Sequence, residues 1–259
     1  MKNDVLPLPA VELEQLLQKA HAALDAGDVQ GGRELALSVL KAAEARKQNY
    51  FEASALLCLA HCDRMVSRYR RAHRASLRAA QIFQQLEHLS GEVMALTTHA
   101  IVSINLGRNE EAVEAALLSV RLSELLPRGE HSVLSYNYLG VAYYWSRSFD
   151  KAAQAFEAAL EIARSANPPL DTFQPRVNQW WSEVIRIFYE RYYAGHLPPL
   201  QSMRELRTTF AALVEQRNAN ITTSLAVTDS AVTTIVSSVG QNYNLVPGTA
   251  GFSTLDGSM

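Results

Sequence analysis

The sequence is poor in cysteine, in net charge and in long apolar runs, and each shortage excludes something. Two cysteines in 259 residues, Cys58 and Cys62, fall within one helical stretch. They cannot build a disulfide framework, and they point to a reduced, cytoplasmic protein. A formal net charge of −2, with 19% charged residues, gives no global pull toward nucleic acid or an anionic membrane. No run approaches the roughly 18 apolar residues that a membrane span needs, and the opening MKNDVLPLPA has no apolar core of a signal peptide. Catalytic patterns are missing too: there is no G-x-x-x-x-G-K-[ST], G-x-S-x-G, H-E-x-x-H or G-x-G-x-x-G. Neither an enzyme activity nor a cofactor is expected. A hydrophobic content of 48% is still enough for a globular core.

What the sequence does have is a repeat. In SYNYLGVAYYWSRSFDKAAQAFEAALEIA (Ser135 to Ala163), Tyr136, Leu139, Gly140 and Tyr143 share one helical face, and Ala152, Phe156 and Ala159 share another. Small residues let two helices approach closely where they cross, and large ones fill the space beside the crossing. The pattern recurs every 40 residues without a gap. The first small position is Ala20, Ala60, Ala100 and Gly140, and the second is Gly32, Ala72, Ala112 and Ala152. The large position before the first is Leu16, Leu56, Leu96 and Tyr136. Each second helix closes on a pair: Ala36 with Val39, Ser76 with Ala79, Ala116 with Ser119, Phe156 with Ala159.

At these positions the sequence resembles the tetratricopeptide repeat (TPR) family, most closely in the fourth unit, and the resemblance covers roughly residues 13 to 172. It implies an all-α, right-handed superhelical solenoid of four helical hairpins, 13–52, 53–92, 93–132 and 133–172. The usual repeat is about 34 residues. The longer period here is expected to lengthen the turns between units, as in LPRGEHS (Leu126 to Ser132). The first unit departs most from the pattern, and Gly32 weakens its second helix by about 1 kcal/mol relative to Ala. Helices are expected near 11–25, 29–46, 50–66, 69–86, 91–106, 109–125, 132–146 and 149–165, with proline at Pro168 and Pro169 stopping the last. Residues 1–12 form an N-terminal tail. An aromatic-rich hairpin at 174–194 and 200–217 suits a cap over the last repeat, within a segment 173–217. The remainder, 218–259, contains no Lys or Arg, is rich in Thr, Ser and Asn, and is expected to be largely disordered.

By analogy with the family, the concave groove would be lined at the second, fifth, ninth and twelfth places of each unit. The candidates are Leu57, His61, Arg64, Thr97, Ile101, Ile104, Asn137, Val141 and Tyr144. Asn137 and Tyr144 are expected to project toward the same open surface. The Asn amide would hold a ligand backbone, and the Tyr ring would act as an anchor. The function implied is a non-catalytic scaffold for a protein or peptide partner, with self-association through the C-terminal hairpin or tail as a further option.

Three other features invite chemistry. Cys58, His61 and Cys62 offer thiolate and imidazole, but a structural zinc site needs four ligands and no second cluster supplies them, so no metal is expected. His21 and His61 occupy the same place in successive units and would stack along the inner helices. The run SRYRRAHRASLR puts Arg70, Arg71, Arg74 and Arg78 on the face opposite the small residues, as a patch for an acidic partner or a solvated surface. It lacks the aromatic residues that single-stranded nucleic acid favours. The segments LGRNEEAVEAALLSVRLSELLP and PPLDTFQPRVNQWW are also similar to the sensory half of bacterial proteins that join TPR units to a GGDEF diguanylate cyclase domain. That resemblance implies a regulatory subunit of cyclic-di-GMP signalling, without its catalytic domain, since no GG[DE]EF motif is present.

Overall fold

The computed structural model of the chain describes residues 10–193 and 200–223. All its regular elements are helices: α1 Ala10–Asp25, α2 Val29–Arg46, α3 Asn49–Met65, α4 Tyr69–Gln85, α5 Leu89–Asn105, α6 Asn109–Ser123, α7 Glu130–Trp145, α8 Phe149–Ser165, α9 Phe173–Tyr193 and α10 Leu200–Thr223. No proline stands between Pro9 and Pro127, so nothing in α1 to α6 removes a helical amide. Pro175 falls in the first turn of α9, where its missing N–H costs nothing.

The helices are separated by turns of one repeated construction. A residue in the left-handed region stands at positions 27, 47, 67, 87, 107 and 147, which are Gly27, Lys47, Ser67, Glu87, Gly107 and Arg147. At each, that residue's N–H bonds back to the carbonyl three residues earlier. The next residue's N–H reaches five back, as in Arg68 to Asp63 (2.7 Å) and Ser148 to Tyr143 (2.9 Å). This second bond is the six-to-one bond that closes a helix end. The same residue then opens the following helix with its carbonyl, as Arg68 does for Ala72 (3.1 Å) and Ser148 for Ala152 (2.9 Å). Position 127 is proline, whose fixed negative φ excludes the left-handed conformation. There the link between α6 and α7 runs over residues 124–129 instead.

These turns correct the expected source of the long period. Apart from 124–129, the links between α1 and α8 hold only two or three residues, and most of these helices span 16–18. Helix length, not turn length, accounts for the 40-residue spacing.

Residues 10–170 belong to one compact unit and those from Asp171 onward to another. In the first, each helix packs on the next, and the odd-numbered helices α1, α3, α5 and α7 (the A helices) also touch in sequence. All eight small positions read from the sequence are buried. A Cβ at Gly140 would stand 2.5 Å from the Phe156 ring, so glycine is what lets α7 lie on α8. Gly32 is explained likewise: a Cβ there would be 3.1 Å from the Ala20 carbonyl, so the residue that weakens α2 also permits its contact with α1.

In the second unit α9 and α10 pair around Trp180, Val184 and Leu213, with Trp181, Leu206 and Phe210 against them. Trp180 stacks on Phe210 at 4.4 Å, and its indole N–H donates to the Leu206 carbonyl at 2.7 Å. Trp180 thus belongs to the hairpin's own core. Helix α10 continues to Thr223, past Arg217 where the composition changes. The tails at 1–9 and 224–259 lie outside the described residues.

Candidate functional site

Residues spaced four, three and four apart lie on one side of a helix. On each A helix, one such set faces away from the hairpin partner. It comprises Glu14, Gln18, His21 and Asp25 on α1, and Ser54, Cys58, His61 and Met65 on α3. The next two are Met94, Thr98, Ile101 and Asn105 on α5, and Leu134, Tyr138, Val141 and Trp145 on α7. Helices α3 and α5 meet along it, where His61 Nε2 lies 3.2 Å from Thr98 Oγ1. The outer members stay open to solvent although they are large and apolar: Met65 is 50% exposed, Met94 39%, Leu134 36% and Trp145 50%. Ile101, Tyr138 and Val141 between them are half-buried. A stripe of this kind on a water-facing surface is what a partner's apolar side chains would cover.

Four of the nine groove candidates lie at the edge of solvent: His61, Arg64, Ile101 and Val141 are half-buried. The others are corrected. Leu57 is part of the core with Ala53, Ile82, Phe83 and Leu96, and Ile104 packs with Ala100 and Ala116. Thr97 donates to the Val93 carbonyl at 2.7 Å and meets Ser119 Oγ at 2.8 Å; Ser119 in turn meets Ser135 Oγ at 2.8 Å. Asn137 is 1% exposed, and Tyr144, 8% exposed, packs edge-on against Trp145 at 5.2 Å. Neither projects to an open surface. The fifth places, and the twelfth places of the third and fourth units, fall on flanks that neighbouring helices cover, whereas the thirteenth places and the second places of those two units stay open. Met94 and Leu134 stand at the second place, which the analogy included without naming them, and Tyr138, Met65 and Trp145 lie at places that sequence reasoning missed. Their signal was available as apolar side chains recurring on the side of the A helix away from the small positions.

The electrostatics of the face are set by burial. The His61 imidazole is pushed down to about 4, first by burial and then by the charges of Arg64 and His21, so it is neutral at pH 7. Burial likewise raises the Tyr138 hydroxyl, against the opposing charge of Arg64. Arg64 Nε is buried and has no hydrogen-bond partner among the described residues. The side chain as a whole is half-buried, so an outside carboxylate can pair with its charge at the edge of the face but not with this buried nitrogen. Cys58 is pushed up to about 12 by burial and by its neighbour Cys62, and both pack among Ala20, Ala36 and Leu59. They are core thiols.

Arg70, Arg71, Arg74 and Arg78 are exposed on α4, with Arg78 3.5 Å from Glu52. An open cavity of roughly 570 Å³ is lined there by Ser67, Arg68, Tyr69, Arg70, Arg71 and Leu106. Among the described residues, one group of side chains could ligate a metal, His73, His99 and Glu111, on α4, α5 and α6 rather than on the A-helix face. No described helix is long and apolar enough to cross a membrane.

No protein-family model matches the sequence, and no curated protein matches it. Solved structures do. BtubC (BKLC) from P. vanneervenii superposes with a TM-score of 0.59 at 19% identity, covering 83% of each chain. A protein assigned as a kinesin light chain from Podosopora anserina, with nearly identical TPR-like repeats, superposes at 0.55 and 16% identity over 80% of this chain and 96% of its own. A point variant of that protein gives 0.57 at 16% identity. At these identities the likeness concerns the fold: an all-helical, TPR-like array of repeats.

Proposed function

We propose that the protein is a non-catalytic interaction scaffold that holds a peptide or helix of a partner protein against the exposed face of α5 and α7. The observation that carries this reading is the apolar stripe of Met94, Leu134, Ile101, Val141 and Trp145 on two stacked helices. Fully burying an exposed side chain of this kind contributes about 1.5–3 kcal/mol, and covering the part still open here contributes a fraction of that, before the costs of association. Arg64, half-buried at the neighbouring position on α3, adds a positive charge at the edge of the face for one acidic group of the partner. The ligand class is therefore an apolar or amphipathic segment carrying a carboxylate at one end. The arginines of α4 speed the approach of an acidic partner rather than hold it.

Selection from a random peptide library displayed against the full chain tests the reading. Selected peptides should be apolar with an acidic residue, and should bind Leu134→Glu/Ile101→Glu at least about tenfold more weakly. They should bind Leu37→Glu/Leu77→Glu, on exposed sites of α2 and α4, as they bind wild type. Equal binding to both double variants would overturn the proposal.

A further inference from the structure

In the second and third repeats two imidazoles and a carboxylate converge. His73 Nε2 lies 2.6 Å and His99 Nε2 3.0 Å from the same oxygen, Glu111 Oε1. The two rings stand 4.4 Å apart between centroids. Ser76 Oγ lies 3.1 Å from the His73 carbonyl and 3.1 Å from His99 Nδ1. Without an ion each Nε2–H donates to the shared carboxylate oxygen, and Arg108 Nη1 stands 3.2 Å from His73 Nε2 and 3.3 Å from Glu111 Oε2. With the ring protons on Nδ1 instead, both Nε2 lone pairs and the carboxylate face one point, where a cation can replace the two Nε2 protons.

We propose that His73 Nε2, His99 Nε2 and Glu111 are the ligands of a divalent transition-metal ion of the zinc class, bound where α4, α5 and α6 meet. An ion that takes the place of the two Nε2 protons is held by three donor atoms at once. Two imidazoles and a carboxylate form a donor set that zinc accepts, with one position left for water or an outside group. The three ligand atoms lie within 4.8 Å of one another. Bonds of about 2.0–2.1 Å in a tetrahedral site space ligands roughly 3.4 Å apart, so the carboxylate needs to withdraw by less than about 1 Å. It has room, being 35% exposed, while His73 and His99 are 12% and 5% exposed and held in the helix packing. The bond from His99 Nδ1 to Ser76 orients its ring as metal-binding imidazoles usually are oriented. Arg108 works against the ion, since its Nη1 also lies 3.3 Å from Glu111 Oε2. Its side chain is 54% exposed and can swing into solvent. An ion here would tie α4 of the second repeat to α5 and α6 of the third and stabilise the folded chain by mass action.

The full chain, freed of metal by chelation, is titrated with zinc by calorimetry and with cobalt(II) by absorption. One ion should bind per chain and raise the melting midpoint. Glu111→Gln and His73→Gln should each weaken binding by at least about tenfold, whereas Cys58→Ala/Cys62→Ala leaves it unchanged. Arg108→Ala, an exposed change that leaves the packing alone, should bind the ion more tightly. The proposal is overturned if wild type binds no ion saturably at one per chain, or if the cysteine variant loses binding. It is overturned equally if Glu111→Gln keeps full affinity, or if Arg108→Ala binds no better than wild type.

Discussion

The first and last A helices carry the same set of outward positions and opposite chemistry. On α1 the four are Glu14, Gln18, His21 and Asp25; on α7 they are Leu134, Tyr138, Val141 and Trp145, with α3 and α5 grading between them. The inward positions do not change in this way, for Ala20 and Gly140 are both small and both buried. The difference teaches that the repeat constrains the packing side of each helix and leaves the outward side free to vary. Whatever the protein recognises is written in the part of the helix that packing does not dictate.

The most severe way to break the comparison is to spoil the side that is constant. Gly140→Leu puts side-chain atoms where the Phe156 ring lies, 2.5 Å from the nearest Cβ position, and should destabilise by upwards of about 3 kcal/mol. A melt followed by circular dichroism should show the midpoint fall by many degrees; an unchanged midpoint would refute this account of the crossing.

Acid acts on the α3 part of the face. His61 is held down to about 4 in the fold, against about 6.5 unfolded. Its neutral form favours folding above the unfolded value, and the advantage is lost as pH falls from about 6.5 to about 4. The loss is on the order of 3 kcal/mol at the linkage of 1.36 kcal/mol per unit. His61→Gln should flatten that part of a stability–pH curve measured by urea unfolding. A curve as steep as wild type would assign the dependence elsewhere.

The turns offer a smaller test. Gly107→Ala forces an alanine into the left-handed region and should cost about 1 kcal/mol, while Glu87→Gly relieves a comparable strain at the equivalent turn. Urea midpoints should move in opposite directions; movement in the same direction would show that the two turns are not equivalent.

The smallest effect sharpens the comparison itself. Leu134→Glu/Trp145→Glu gives α7 the chemistry of α1, and charge reversal at Arg70, Arg74 and Arg78 changes an exposed face. Each should alter stability by no more than about 0.5 kcal/mol. Melting temperatures close to wild type are expected, and a large fall in either variant would show those side chains to be structural.

Much of the fold was legible because the small residues recur in register, and eight of eight such positions prove buried. The turns were not legible, since Lys47, Ser67, Glu87 and Arg147 adopt a conformation in which glycine is the usual signal. Their spacing alone could have given them away. For the face, family analogy pointed to Asn137 and Tyr144, which lie on flanks that other helices cover, while Trp145, one place on, is open and Tyr138 half-buried. His73, His99 and Glu111 belong to three helices and no local motif, so only the packing of α4, α5 and α6 brings them together. The similar solved structures bear on the repeat and not on cyclic-di-GMP signalling.

Except at Pro127, the left-handed turns recur every 20 residues, whereas the small residues recur every 40. The backbone therefore counts single helices and the side chains count pairs. Excising 20 residues would leave the rhythm of turns intact but present an outer helix where an inner one belongs, exposing its packing side. Excising 40 satisfies both counts at once. The chain can be shortened or lengthened only in whole pairs, and the outward stripe would then be edited one helix at a time.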